Sequence, residues 1–295
     1  MRTPSEGRRI RLSRAGLVAG LATGCAGLLV AGGTAVGAVA RPALAANTQM
    51  TGVGKYNPTI SVTKLGTKLA DSQSSNWSGY NQGILDTQTP FSSISGQWVV
   101  PTATQHTAGQ AEDSATWIGV GGGCLNSTCS ATDATLIQAG TEQDVSASGQ
   151  ASYDAWYEII PAPEIQSSIA VNPGDVIDCS IAATVPGVWT ISLRDTTDGQ
   201  SFSETLPYPS DESTAEWIEE TPTEIGTSGT NLAALPNLST VHFTNASVNG
   251  ANANLVADQA VQLIDSNGNP LATPSAPVGG NEFDDCAFAT SCAAP

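Results

Sequence analysis

The chain has 295 residues, of which 13% are charged and 5% aromatic, and its 10 Lys and Arg against 27 Asp and Glu give a net charge of −17. That length fits one large globular domain or two small ones. The acidic balance argues against nucleic acid or an anionic membrane as a partner, and self-repulsion of this size favours a monomer.

The first 46 residues have the pattern of an export signal. Arginines at positions 8, 9, 11 and 14 precede an apolar run over residues 17–40, and the small residues Ala43-Leu44-Ala45 follow as a cleavage pattern. A membrane anchor is disfavoured because the run is rich in Gly and Ala and ends in that pattern. We therefore predict a secreted protein with no membrane attachment after cleavage.

Residues 47–74 are predicted to be a propeptide or an N-terminal extension, ahead of a domain over residues 75–295. The segment holds Lys55, Lys64 and Lys68, and Arg194 is the only cation after it. Without the leader, four cations and 26 acids remain, a net charge of −22. Acidic pH protonates carboxylates and so reduces this repulsion, and it would also weaken the charge pairs that hold a propeptide to the domain. The alternative is that the same residues form a solvated N-terminal extension.

From Trp77 onward, short apolar or alternating runs are separated by Gly, Pro, Asn, Asp and Ser, with no convincing helix. This pattern is typical of an all-β protein, a sandwich or a jelly roll. The predicted strands cover residues 76–81, 93–100, 115–120, 135–140, 152–160, 176–185, 189–194, 201–206, 215–219, 240–248 and 259–264.

The cysteines beyond the leader form two close pairs and one single residue. Cys124 and Cys129 flank a turn-rich loop, and Cys286 and Cys292 lie near the C-terminus, so both pairs are predicted to be local disulfides. Cys179 has no obvious partner and is predicted to be a buried free thiol. No histidine stands near either pair, so we expect no metal site there.

Several hydrolase classes are disfavoured by the motifs that the sequence lacks. His106 and His242 are the only histidines, and H-E-x-x-H, G-x-S-x-G, D-T-G and D-S-G are absent. Metallohydrolase, serine-hydrolase and paired-aspartate protease chemistry are therefore disfavoured. Carboxylates, carboxamides and tryptophans remain, and no cofactor is predicted.

Two predicted strands place such residues on one face. In S-Y-D-A-W-Y-E, a period of two aligns Asp154, Trp156 and Glu158 like the floor of a cleft. In A-T-L-I-Q-A-G, Gln138 falls between apolar neighbours, where a buried amide needs hydrogen-bond partners. A purely structural hydrogen bond is the alternative explanation for Gln138.

The stretch T-A-E-W-I-E-E over residues 214–220 crowds three glutamates into seven positions. Alternation puts Glu216 and Glu220 on the face of Ile218, and Glu219 on the opposite face. A carboxyl group beside apolar packing acquires a raised pKa, which suits a general acid or base working in acid. The alternative is a solvated strand edge.

Six motifs in order resemble those of the glutamic peptidases, or eqolisins: S-N-W-S-G-Y at Ser75, W-V-V-P at Trp98, A-T-W-I-G-V at Ala115, L-I-Q-A-G at Leu136, Y-D-A-W-Y-E at Tyr153 and A-E-W-I-E-E at Ala215. The resemblance covers residue 75 to the C-terminus. It implies a sandwich of two bent antiparallel sheets, similar to concanavalin-type lectins and glucanases, with a cleft on the concave face.

The resemblance also implies a catalytic dyad of Gln138 and Glu220, acting on polypeptide substrates. We expect hydrolysis by an activated water without a covalent intermediate, with Glu220 first a base and then an acid, and Gln138 orienting the water and stabilising the oxyanion. The other cleft positions that match are Trp117, Asp154, Trp156 and Glu158.

Two alternatives to a peptidase stay open, and one departure from the family favours the first of them. The family has an aspartate near the position of Gly121, so its contribution to the hydrogen bonds around the dyad is missing here. A non-catalytic, lectin-like module would keep the fold without that residue. A glycoside hydrolase would use a carboxylate pair such as Glu158 and Glu220, although the E-x-D-x-E run of the related glucanases is absent.

Overall fold

A computed structural model describes residues 60–62, 72–226 and 229–295. The predicted signal peptide and the three lysines of the predicted propeptide lie outside these ranges. In the described part, no helix is long and apolar enough to cross a membrane.

The described residues are nearly all β-structure, with one α-helix, α1 (Ile84–Thr87), and one 3-10 helix (Ala257–Gln259). The strands are β1 (Ile60–Val62), β2 (Ser72–Ser74), β3 (Trp77–Gly83), β4 (Ser93–Val99), β5 (Ala103–Thr104), β6 (Glu112–Gly121), β7 (Leu136–Val145), β8 (Ala151–Ile159), β9 (Ile165–Gln166), β10 (Val176–Val185), β11 (Val188–Asp195), β12 (Ser201–Pro207), β13 (Thr214–Glu220), β14 (Thr223–Gly226), β15 (Gly229–Leu232), β16 (Asn237–Leu238), β17 (Val241–Val248), β18 (Ala251–Asn252), β19 (Ala260–Ile264), β20 (Pro270–Pro274) and β21 (Phe283–Ala287).

The long strands form two antiparallel layers. The first layer has the order β9-β8-β7-β6-β13-β3-β19. The second has the order β12-β11-β10-β4-β17-β21. Strand β20 pairs with both β19 and β21 and so joins the layers along one side. The predicted all-β sandwich is confirmed.

The first layer is apolar on both faces. Between the layers, Ile118 and Trp217 of the first pack in one cluster with Ile191 and Phe243 of the second. On the opposite face of the first layer, a separate cluster contains Trp77, Trp117, Trp156 and Ile218. Buried aromatic side chains of this size dominate the energetics of a core, so these tryptophans fix the floor on which a cleft can be built.

All eleven predicted strands are present, with ends shifted by a few residues. The prediction missed α1, whose four residues are too few to show a helical period, and ten strands of two to five residues. Among them are β21 of the second layer and β20, whose terminal prolines Pro270 and Pro274 are typical of a loop. Both predicted disulfides are formed, and Cys179 is a buried free thiol.

Two carboxyl groups lie in the interior of the sandwich. The Thr116 hydroxyl donates to Glu219 Oε2 at 2.6 Å, and the Ser78 hydroxyl donates to Asp285 Oδ2 at 2.6 Å; each acid is 1% exposed. Burial raises the pKa of Glu219 well above its ordinary value, and repulsion from Asp285 adds to the effect. Burial raises the pKa of Asp285 to about 7.

We predict that the protein is most stable in acid. Unfolded carboxyl groups ionise near pH 4, whereas these two keep their protons until higher pH, so the folded state binds more protons in between. The free energy of unfolding should therefore fall from about pH 4 to pH 7, by about 4 kcal/mol for Asp285 alone. Urea denaturation across this range measures the loss.

The variant Glu219→Gln isolates the effect, because glutamine resembles the protonated acid in shape and cannot ionise. Its unfolding free energy should match that of the parent protein at pH 4 and exceed it at pH 7. Glu204→Gln, at an exposed position on β12, is the control and should show the parent pH dependence. A parent protein that gains stability from pH 4 to pH 7 would contradict this account.

Candidate active site

Glu220 ends the central strand of the first layer, β13, which lies between β3 and β6. Because Trp217 points into the core between the layers, alternation turns Ile218 and Glu220 to the other face, where Ile218 joins the tryptophan cluster. Glu219 points into the sandwich. The alternation predicted from the sequence therefore separates two adjacent glutamates into an interior residue and a cleft residue.

The Glu220 carboxyl group is buried and accepts hydrogen bonds from the side chains of Asn76, Trp117 and Trp77. Asn76 Nδ2 donates to Oε1 at 3.1 Å, and Trp117 Nε1 donates to Oε2 at 2.7 Å. These donors favour the ionised form, but burial and the charge of Glu158 outweigh them and raise the pKa of Glu220 to about 8. In acid, Glu220 therefore carries a proton.

Gln138 on β7 lies directly opposite Glu158 on β8. Gln138 Nε2 donates to Glu158 Oε2 at 2.7 Å, which fixes the orientation of the amide. Gln138 Oε1 is buried and has no hydrogen-bond partner among the described residues. Burial raises the pKa of Glu158, although the bond from Gln138 opposes the shift. The amide thus keeps its carbonyl oxygen and one N–H for a ligand.

Gln138 and Glu220 line one solvent-open pocket of about 520 Å³. In register, Gln138 faces Gly119 and Glu220 faces Ala115, so the pair lies diagonally across β6, and Trp117 lies on the same face of β6 between these two positions. The rest of the lining is Ala115, Glu142, Trp156, Glu158, Ile160, Glu164, Pro222 and Thr223. Within the described ranges, no group of three or more His, Cys, Asp or Glu is arranged to hold a metal ion.

The other predicted cleft residues occupy different positions. Trp156 and Glu158 line the pocket. Trp117 is fully buried beneath it and contacts Glu220 rather than open space. Asp154 lies farther along β8, where it is exposed and accepts a hydrogen bond from Gln166 Nε2 at 3.1 Å.

Sequence reasoning overlooked three residues of the site. Asn76 belongs to the S-N-W-S-G-Y motif, which by itself assigns no role to that side chain. Glu142 lies four residues after Gln138 on the same strand, so alternation alone predicts its face. Glu164 follows Pro163 between β8 and β9, where no periodicity predicts a direction.

The sequence profile of the Peptidase A4 family matches residues 75–284. The chain belongs to the Peptidase A4 family. Its members, the glutamic peptidases, are acid-active peptide hydrolases, and this A4 peptidase is an enzyme of that class. It is 27% identical over 240 residues to aspergillopepsin-2 of Aspergillus niger, covering 72% of this chain and 78% of the relative. It is 30% identical over 203 residues to scytalidopepsin B of Scytalidium lignicola, and this match covers 65% of this chain and 71% of the relative.

Solved structures of the family share the fold. Scytalido-glutamic peptidase with a peptide-based transition-state analogue matches with a TM-score of 0.57 and 25% identity, over 72% of this chain and 98% of that one. SCP-B, an eqolisin in complex with the tripeptide Ala-Ile-His, matches with a TM-score of 0.54 and 24% identity over the same shares.

The backbone of this A4 peptidase explains why position 121 is a glycine and not an aspartate. Its φ is +98°, and an added Cβ would overlap the main-chain carbonyl oxygen of Thr135. The chain turns here from β6 into the loop of the Cys124–Cys129 disulfide, and Asn81 holds that loop through Cys124. No side chain fits at position 121 on this backbone, so the family aspartate has no room here.

We predict that Gly121→Ala destabilises the A4 peptidase more than Gly174→Ala. Gly174 has a φ of +90°, and a Cβ added there would have no atom within 4 Å. Its substitution by alanine therefore measures backbone strain without steric overlap. Strain costs about 1 kcal/mol at both sites, and the overlap should add about 3 kcal/mol at Gly121. Urea denaturation at pH 4 compares them, and equal losses would refute the steric explanation.

Two variants should move the pKa of Glu220 in opposite directions. Trp117→Phe removes an N–H donor to the carboxylate and should raise the pKa by about 1. Glu158→Gln removes a negative charge and should lower it by a similar amount. Carboxyl ¹³C NMR titration measures both, with Glu204→Gln as the unshifted control. Shifts of the same sign would show that these contacts do not set the pKa.

Proposed function

We propose that the chain is a secreted acid endopeptidase in which Gln138 and Glu220 form the catalytic dyad and water attacks the peptide directly. One observation carries the proposal: a buried amide with an unmet carbonyl oxygen and a buried carboxyl group of raised pKa line the same pocket. The peptide-based analogue bound by a structural relative supports a polypeptide substrate.

The raised pKa reverses the order of steps expected from the sequence, since in acid Glu220 begins as a proton donor. Its carboxyl group donates a proton to the peptide carbonyl oxygen while water adds to the carbonyl carbon. The water loses a proton to the Glu220 carboxylate, which leaves a neutral gem-diol and a protonated Glu220. No covalent bond to the enzyme forms.

The second step uses the same proton in the opposite direction. Glu220 donates it to the peptide nitrogen, the carbon–nitrogen bond breaks, and a gem-diol hydroxyl returns a proton to Glu220. A carboxylic acid and an amine leave, and the site regains its starting state. One carboxyl group thus serves both steps, which explains why a single buried glutamate suffices.

Gln138 acts as the neutral partner. Its carbonyl oxygen accepts a hydrogen bond from the attacking water, and its free N–H stabilises the developing charge on the carbonyl oxygen, worth about 3 kcal/mol by analogy with other oxyanion donors. Glu158 is a positioning residue, because it holds the amide by the other N–H. A carboxamide does not titrate, so this role persists in acid.

Cleavage of a denatured protein between about pH 3 and pH 5 tests the proposal. Glu220→Gln should lower kcat/KM at least 10³-fold because no group then transfers the proton, and Gln138→Ala should lower it by roughly 10²-fold to 10³-fold. Glu204→Gln should retain parent activity. Cleavage should also persist with inhibitors of aspartic proteases.

The rival functions give distinct results in the same assay. Hydrolysis of a polysaccharide panel without proteolysis would establish a glycoside hydrolase, and the absence of both activities a binding module. Proteolysis that survives in both dyad variants would place the active site elsewhere.

A further inference from the structure

Beneath the pocket, Asn76 ties Glu220 to the first strands of the described domain. Its Nδ2 donates to Glu220 Oε1 at 3.1 Å, and its main-chain oxygen accepts a hydrogen bond from the Thr221 N–H at 2.9 Å. Asn76 is only 2% exposed and is not among the described residues that line the pocket. A substrate therefore meets Glu220 but not Asn76, so any effect of Asn76 on the reaction passes through Glu220.

The side chain of Asn76 is itself held by Ser74, the last residue of β2. Ser74 is fully buried, and its Oγ lies 3.0 Å from Asn76 Oδ1. The same Oγ accepts two main-chain N–H groups, from Asn76 at 3.2 Å and from Trp77 at 3.1 Å. A serine hydroxyl has two acceptor lone pairs and one O–H. Because both lone pairs are occupied, Ser74 has only its proton left for the Asn76 side chain.

This arrangement fixes which end of the Asn76 amide faces Glu220. An asparagine amide turned by 180° exchanges its acceptor oxygen for its donor nitrogen. Since Ser74 can only donate to the amide, the atom beside Ser74 must be the oxygen. The nitrogen is then turned toward Glu220 and donates to it, as the 3.1 Å contact shows.

The orientation matters because Glu220 carries a proton in acid. The side chains that hold Glu220 all offer it N–H groups: Asn76, Trp77 and Trp117. In this orientation none of the three accepts the carboxyl proton, which is left for the pocket. A rotated Asn76 would instead present Oδ1 to Glu220. The carboxyl group would then donate its proton to that oxygen and away from the substrate.

We propose that Ser74 is a positioning residue for the reaction, because it holds the Asn76 amide in the orientation that leaves the proton of Glu220 free to reach the substrate. This inference rests on the proposed function of Glu220 and deepens it. Glu158 holds the amide of Gln138 directly. Each member of the proposed dyad thus has a buried hydrogen bond that sets its orientation or the direction of its proton.

The proposal extends the catalytic domain toward the N-terminus. The sequence pattern predicts a boundary between residues 74 and 75, whereas β2 pairs in parallel with β19, with Ser74 opposite Leu263. An active chain must keep Ser74, so a propeptide must be removed ahead of it. N-terminal sequencing of acid-activated enzyme should therefore find a first residue at or before position 74. An active chain that begins after Ser74 would overturn the proposal.

The variant Ser74→Ala removes the hydroxyl and frees the Asn76 amide to rotate. At pH 4 the kcat for a peptide substrate should fall roughly tenfold, with KM near the parent value because Ser74 and Asn76 lie beneath the pocket lining. Carboxyl ¹³C NMR titration should show the pKa of Glu220 raised by about 1, since a rotated amide accepts a hydrogen bond from the protonated acid and no longer donates to the carboxylate.

Ser75→Ala is the matched control. It removes the neighbouring hydroxyl from a half-buried position that lines the separate groove near Leu232. This variant should keep the parent kcat and the parent pKa of Glu220. A Ser74→Ala variant with parent values, or equal changes in both variants, would overturn the proposal.

A neutron crystal structure of the parent chain at pH 4 decides the question should Ser74→Ala not fold. It should show the Ser74 deuteron directed at Asn76 Oδ1 and the amide deuterons of Asn76 directed at Glu220, and a reversed amide would overturn the proposal. A parent chain that cleaves no peptide would contradict the proposed function alone, because the NMR titration and the neutron structure do not require turnover.

Discussion

Within the part of the chain that the structure describes, carboxyl groups buried without cations are the constraint on which the fold depends. Glu216, Glu219, Glu220 and Asp285 are each at most 5% exposed, and only Arg194 is available after Lys68 to balance them. A buried carboxylate is costly, whereas a buried carboxylic acid needs only a hydrogen-bond partner. The fold is therefore most favourable when these groups are protonated, and the same burial gives Glu220 the proton that its proposed chemistry uses. The predicted stability in acid and the proposed chemistry of Glu220 therefore have one physical origin.

Strand β13 shows how fold and site share the same residues. Its seven positions are all buried, so the strand is packed on both faces. Trp217 belongs to the core between the layers, and Ile218 belongs to the tryptophan floor beneath the pocket. Glu219 and Glu220 follow this alternation into two different environments, which explains why adjacent glutamates serve stability and proposed catalysis separately.

The sequence predicted eleven of the strands and the face of Glu220, because alternation is a local pattern that those strands retain. It predicted Trp156 and Glu158 in the pocket for the same reason. It did not predict that Asn76 and Trp117 hold Glu220, since these contacts depend on the order β3-β13-β6, which no local pattern encodes. Nor did it explain the glycine at position 121, because the carbonyl oxygen that excludes a side chain there belongs to Thr135, next to the neighbouring strand β7. Glu164 lies in a loop, where alternation offers no direction.

In the proposed mechanism, Gln138 and Glu220 together bind the reacting peptide group. A crystal structure at acid pH with a peptide-based transition-state analogue tests it most directly. We expect the tetrahedral centre of the analogue within hydrogen-bond distance of both the Gln138 amide and the Glu220 carboxyl group, with Glu158 still holding the amide. An analogue bound elsewhere, for example in the separate groove lined by Leu232 and Leu271, or one that contacts neither residue, would contradict the account.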